Sequence, residues 1–138
     1  MMEFNYKIEG GNFTKAGTAS SDVKKTLKQL NVPPKTIKRI VVALYEAEVN
    51  VVAHAYEGEI KVFIDTEKIE IIIIDKGPGI PDIEKAMKEG FSTASSKVRE
   101  MGFGAGMGLP NIKRNTDKLE LTSEVEIGTE LKLTNFLI

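Results

Sequence analysis

Glu46 and Asn50 stand four residues apart in the chain, a spacing that puts both on one face if the segment is helical. An unpaired glutamate in a low-dielectric cavity is poised as a general base, and a carboxamide oxygen is a hard, neutral ligand suited to Mg²⁺. His54, one turn further, suits either a phosphate contact when protonated or a satisfied place in the core. Asp75 ends a run of four isoleucines, Ile71 to Ile74. A carboxylate at the end of a buried strand is costly unless something donates hydrogen bonds to it. An exocyclic amine such as that of adenine would serve, with Gly77 and Gly79 letting a flat ring approach the backbone. A plain turn leaving the strand accounts for Gly77-Pro78-Gly79 as well.

Seven of the 12 glycines (Gly77, Gly79, Gly90, Gly102, Gly104, Gly106 and Gly108) fall between positions 77 and 108. From 102 to 108 glycine takes every second position, just before a predicted helix. Such backbone can approach a ligand closely, and the helix N-terminus offers free N–H groups, so phosphate is the natural occupant. Two common phosphate loops fail. No Gly-Lys-Ser/Thr is present for a P-loop, and Met107 stands where a dinucleotide fingerprint needs glycine. The alternative is a flexible loop without function.

These residues need elements to hold them. Residues 35–56 carry the strongest pattern, a helix with Ile37, Ile40, Val41, Leu44, Ala47, Val51 and Ala55 on one stripe. Arg39, Glu46 and Asn50 share a narrow polar arc with His54 at its edge, as expected of a core helix facing a polar cavity. Glu48 falls inside the apolar stripe with no reason legible in the sequence. Pro33-Pro34 marks the helix start. Before it, residues 2–9 predict a first strand, and Ser20, Ser21 or Asp22 is expected to cap a short helix to about Leu30. Glu59 to Asp65 and Ile69 to Asp75 read as a hairpin, and four isoleucines without alternation predict a central strand covered on both faces. Residues 76–106 are rich in glycine, serine and charge, with a short helical piece near 83–89; so long a stretch suggests a functional lid. A helix from Gly108 to about Asn115 and a hairpin of Leu119 to Val125 with Thr129 to Phe136 close the pattern. One α/β domain over 1–138 accounts for everything.

Composition narrows the function classes. With 19 basic and 20 acidic side chains the net charge is −1, which gives no electrostatic reason to bind nucleic acid or an anionic membrane. There is no cysteine and one histidine, which rules out disulfides, thiolate metal sites, cysteine nucleophiles and a multi-histidine centre. No signal peptide and no run of about 18 apolar residues is found, so a cytoplasmic location is the expectation.

Taken in order, these elements resemble the GHKL superfamily of ATP-binding domains over residues 36–134. Glu46-Ala-Glu-Val-Asn50-Val-Val-Ala-His54-Ala resembles the N-box, Asp75-Lys-Gly77-Pro-Gly79-Ile the D-x-G-x-G box, Gly104-Ala-Gly106-Met107-Gly108-Leu109 the second glycine box, and Gly128-Thr129-Glu-Leu the G-T box. The run from Tyr45 to Tyr56 is most similar to the anti-sigma-factor serine kinases of bacterial sporulation and stress pathways. The resemblance implies a Bergerat-type α+β fold: a two-layer sandwich of a mixed, mostly antiparallel sheet with helices on one face and a lid over about 81–106. It implies ATP or ADP as ligand with Mg²⁺ on Asn50, and Glu46 activating the attacking hydroxyl. Asp75 would read the adenine amine, assisted by Gly77, Gly79 and Thr129. Gly104, Gly106, Met107, Gly108 and Leu109 would surround the phosphates, and His54 would belong to the nucleotide site. Lys97 or Arg99 would neutralise phosphate charge, or would simply be solvated loop charge. The implied partners are proteins, an anti-anti-sigma-like substrate and a sigma factor, with homodimerisation also a family expectation. Gly102-Phe103 is an addition to the family pattern, and the chain before residue 36 matches none of its boxes.

The leading reading is a serine/threonine protein kinase that also regulates a partner by binding it. A non-catalytic ATP/ADP-sensing module is the alternative. A histidine-kinase-type catalytic domain is disfavoured, because the only histidine lies inside the N-box-like run.

Overall fold

The computed structural model describes residues 1–80, 87 and 108–137. In chain order these form β1 (Met2–Glu9), a 3-10 turn (Phe13–Lys15), α1 (Thr18–Gln29), α2 (Pro34–His54), β2 (Glu57–Ile64), β3 (Lys68–Lys76), α3 (Gly108–Arg114), β4 (Lys118–Glu124) and β5 (Gly128–Phe136). The five strands make one sheet in the order β1-β2-β3-β5-β4, with every pairing antiparallel. This is the expected α+β architecture.

Register explains the core. Phe4 faces Val62, Val62 faces Ile71, Ile71 faces Leu133 and Leu133 faces Leu119. The next row runs Tyr6, Ile60, Ile73, Leu131, Leu121. Alternate residues share a face, so these two rows form the surface on which the helices lie. Ile60, Val62, Ile71, Ile73 and Leu133 are buried against Val23 and Leu27 of α1, Ile40, Leu44 and Val51 of α2, and Ile112 of α3. Each such side chain contributes roughly 1.5–3 kcal/mol relative to exposure.

The expectation that both faces of the isoleucine strand are covered is not met. Ile71 and Ile73 are 2% and 1% exposed, whereas Ile74 is 40% exposed and Ile72 half-buried. Strand β3 is central, but among the described residues the helices cover only one face, and Ile72 sits on the other between Lys61 and Lys132.

Helix α2 starts at Pro34 as expected and ends at His54, where Ala55 turns extended. Helix α1 begins earlier than its predicted cap. Gly17 in the left-handed region (φ 93°) is the cap position and supplies no side-chain hydrogen bond. Ser20 lies inside the first turn, buried, and the free N–H groups are met by Glu48 of α2. That contact is the account of Glu48 which local sequence lacks. The short helix expected near 83–89 and the lid over 81–106, with Gly90 and Gly102, lie outside the described residues except for Met87, which packs against the core. Among the described residues no helix is long and apolar enough to cross a membrane.

Candidate functional site

Glu46, Asn50 and His54 succeed one another at one-turn intervals on α2, covering about 12 Å at 1.5 Å per residue. All three are half-buried. The first two meet α3. Asn111 Nδ2 lies 3.5 Å from Glu46 Oε1, a long contact, and Arg114 Nη1 donates to Asn111 Oδ1 at 3.2 Å, which orients the carboxamide. Gly108, the first residue of α3, stands directly over Asn50: a β-carbon there would be 3.1 Å from Asn50 Oδ1. The Asn50 carboxamide has no hydrogen-bond partner among the described residues. The third residue reaches the Asp75 loop, because a β-carbon on Gly77 would be 2.9 Å from Ala55 Cα and 3.5 Å from the His54 carbonyl oxygen. One helix thus connects the start of α3 with the end of β3. Burial lowers the His54 imidazole below its ordinary range, so it is neutral at pH 7.

At the other end, three neighbouring strands place Asp75, Thr129 and Ser123 side by side on the helix-covered face. Thr129 N donates to Asp75 Oδ1 at 3.0 Å. Burial pushes the Asp75 carboxyl above the usual carboxylate range, and the Thr129 N–H only partly opposes it. Among the described residues that is the one hydrogen bond to this carboxylate, so acceptor capacity is left for a donor from a ligand. Gly128 is required here, since a β-carbon would fall 2.0 Å from the Asp75 carbonyl oxygen. Gly79 (φ 75°) is the second such position, 2.4 Å from the Glu124 carbonyl by the same measure. The loop after β3 is stapled to the β4–β5 turn by Gly77 N to Ile127 O (3.2 Å) and Glu126 N to Pro78 O (2.8 Å). Ser123 adds a third staple. Its Oγ accepts from Ile80 N at 2.7 Å and lies 2.9 Å from Thr129 Oγ1.

The structure therefore brings Glu46 and Asn50 to α3, and Asp75, Gly77, Gly79 and Thr129 to a second cluster joined to the first by α2. Leu109 is a core side chain, 9% exposed, which leaves its backbone as what it can offer a ligand. Gly104, Gly106, Met107, Lys97 and Arg99 lie outside the described residues. Asn111 and Ser123 went unnoticed in the sequence. The signal for Ser123 was a polar residue at an inward position after Leu119 and Leu121. Among the described residues no three histidine, aspartate or glutamate side chains gather as a metal cage. A lone carboxamide suits a cation that keeps waters and takes its other ligands from phosphate.

The chain is 36% identical, over 99% of its length and 94% of the relative's, to an anti-sigma F factor of Thermoanaerobacter sp. strain X514. It is 39% identical, over 72% of its length and 71% of the relative's, to the serine/threonine-protein kinase RsbT of Bacillus subtilis strain 168. In fold it is similar to a solved Mycobacterium tuberculosis protein comprising RsbU and RsbW domains, with a TM-score of 0.66 at 15% identity over 98% of this chain and 32% of that longer one. The histidine kinase domain of a blue-light activated histidine kinase from Erythrobacter litoralis is a more distant likeness, at TM-score 0.53 and 14% identity over 88% of this chain and 61% of that one. The profile of the histidine kinase-like ATPase domain matches residues 12–135. The chain belongs to the histidine kinase-like ATPase domain family.

Proposed function

We propose that this chain, acting as one unit over residues 1–138, is an ATP-dependent serine/threonine protein kinase that also regulates a protein partner by binding it. The observation that carries the proposal is that Glu46 and Asn50 both lie against α3, at Asn111 and Gly108, with Asp75 and Thr129 near the far end of the same helix. The names of the relatives in Thermoanaerobacter and Bacillus, an anti-sigma factor and a serine/threonine kinase, support it.

The residues present fit a purine nucleotide. Asp75 offers a desolvated acceptor to an exocyclic amine, with Gly77, Gly79 and Thr129 shaping the surroundings of the base. Gly104, Gly106, Met107, Gly108 and Leu109 would hold the phosphates by backbone, joined by His54 and by Lys97 or Arg99. Asn50 would hold Mg²⁺. When bound, ATP with its metal supplies a transferable phosphoryl group. Glu46 accepts the proton of the incoming serine or threonine hydroxyl as general base. The substrate would be an anti-anti-sigma-like protein and the regulated partner a sigma factor, with the kinase acting as a homodimer.

Incubation with γ-labelled ATP, Mg²⁺ and candidate partner proteins tests this. Label is expected on a partner serine or threonine and is expected to vanish in Glu46→Gln. If the chain is stabilised by Mg-ADP and its partner binding depends on nucleotide, yet no partner is ever labelled, the non-catalytic sensor replaces the kinase.

A further inference from the structure

Ser123 sits at the end of β4, half-buried, and its single oxygen has three neighbours. Ile80 N is 2.7 Å away, the Gly128 carbonyl oxygen 3.1 Å and Thr129 Oγ1 2.9 Å. A serine hydroxyl has one proton and two lone pairs. The Ile80 N–H can only donate, so it takes one lone pair. The Gly128 carbonyl can only accept, so it takes the proton. The remaining lone pair must receive the Thr129 hydroxyl proton. With its proton committed to Ser123, the Thr129 oxygen presents lone pairs alone. Its neighbour Asp75, whose Oδ1 already receives Thr129 N, is an acceptor too.

We infer that Ser123 is a specificity-determining residue of the nucleotide site: by holding the Thr129 proton it makes this end of the site an acceptor-only wall, which favours a 6-amino purine over a 6-oxo purine. The inference rests on the proposal that a purine nucleotide binds beside Asp75. Where the six-position faces that wall, a 6-amino group brings two protons to it, whereas a 6-oxo group brings lone pairs against lone pairs and has its one proton a ring position away on N1. Because Ser123 also holds Ile80 N, it fixes the exit of the β3 loop to the same point. Ser123 touches no reacting atom. It acts through Thr129.

The test is the affinity of the full chain for ADP and for inosine diphosphate, which differ at the six-position and the adjoining ring nitrogen, in the wild type, Ser123→Ala and Ser123→Thr. The wild type is expected to prefer ADP. In Ser123→Ala the freed Thr129 hydroxyl can turn to donate, so the preference is expected to shrink by about tenfold, the worth of one hydrogen bond. Ser123→Thr keeps a hydroxyl and is expected to restore the preference. Equal weakening of both nucleotides in Ser123→Ala, or no change in either, overturns the inference and leaves Ser123 a structural residue. Should Ser123→Ala not fold, Thr129→Val removes the same proton and acceptor in near-equal volume; an unchanged preference there overturns the inference as well. A wild type that binds neither nucleotide fails earlier, at the proposed function itself.

Discussion

Glu48 and Ser20 are 28 residues apart in sequence and joined twice in space: Glu48 Oε1 accepts from Ser20 N at 3.1 Å and from Ser20 Oγ at 2.7 Å. Its other oxygen accepts from Ala19 N at 3.1 Å. Both residues are 3% exposed. The first turn of α1 lacks a side-chain cap of its own, so a carboxylate from the middle of α2 satisfies its donors and meets the positive end of its dipole. The polar residue buried in an apolar stripe is the clamp between the two helices. Removing it leaves three buried donors without an acceptor, so Glu48→Ala is expected to lower the unfolding free energy by about 3 kcal/mol, and Glu48→Gln by roughly 1 kcal/mol, since an acceptor oxygen remains. Urea unfolding checks this. A Glu48→Ala midpoint equal to the wild type refutes the clamp.

Asp75 is held buried against its own solvation, a cost that the proposed contact with a nucleotide's amine would account for. Burial raises its carboxyl pKa, so the ionised form is destabilising to the fold. Asp75→Asn keeps an oxygen for Thr129 N and removes the buried charge. Its melting temperature at pH 7 is expected to equal or exceed that of the wild type, while ADP binding, read by calorimetry, falls at least tenfold, about the worth of one charge-assisted hydrogen bond. A destabilised variant that still binds ADP would reverse the assignment.

The proposed roles of Glu46 and Asn50 are expected to separate. Glu46→Gln should retain Mg-ADP affinity within about threefold and lose transfer by a factor of about 10²–10⁴, the range for a general base. Asn50→Ala should lose the Mg²⁺-dependent part of binding. Parallel titrations with and without Mg²⁺ decide it, and equal loss of affinity in both variants contradicts the division of roles.

His54 sets a pH dependence of definite sign. Its folded-state pKa is depressed by burial, so below the ordinary histidine value near 6.5 the unfolded chain takes up a proton that the folded chain does not. Stability is therefore full above that value and is lost as pH falls through it. The wild-type urea midpoint is expected to drop between about pH 7 and about pH 5.5, and the drop to be smaller in His54→Gln. Identical drops would show that other groups carry the effect. A Mg-ADP complex that raised the midpoint more at the lower pH would revive the reading of His54 as a charged phosphate contact.

Much of this protein was legible because it is local. Alternation along β1 and β4, the apolar stripe of α2, Pro34 at a helix start and the glycine turns are properties of neighbouring residues, and they predicted the elements to within a few positions. The four boxes, taken in order, resemble those of the GHKL superfamily, and that resemblance pointed to the family. The isoleucine run misled because strand hydrophobicity does not say how many faces are covered; that depends on where the helices pack.

Residue order alone was enough for the described elements to within a few positions and for the spacing of Glu46 and Asn50 on one helix face, while a nucleotide beside Asp75 and the glycines remains the proposal drawn from it. What each polar group meets was set by the packing of segments distant in the chain. Ser20 became buried structure rather than a cap, Glu48 found its donors on α1, and Ser123 joined Ile80, Gly128 and Thr129. Helical and strand periods act over a few residues, whereas a buried polar group must be satisfied by whatever the fold brings within 3 Å or so, and chain proximity carries no record of that.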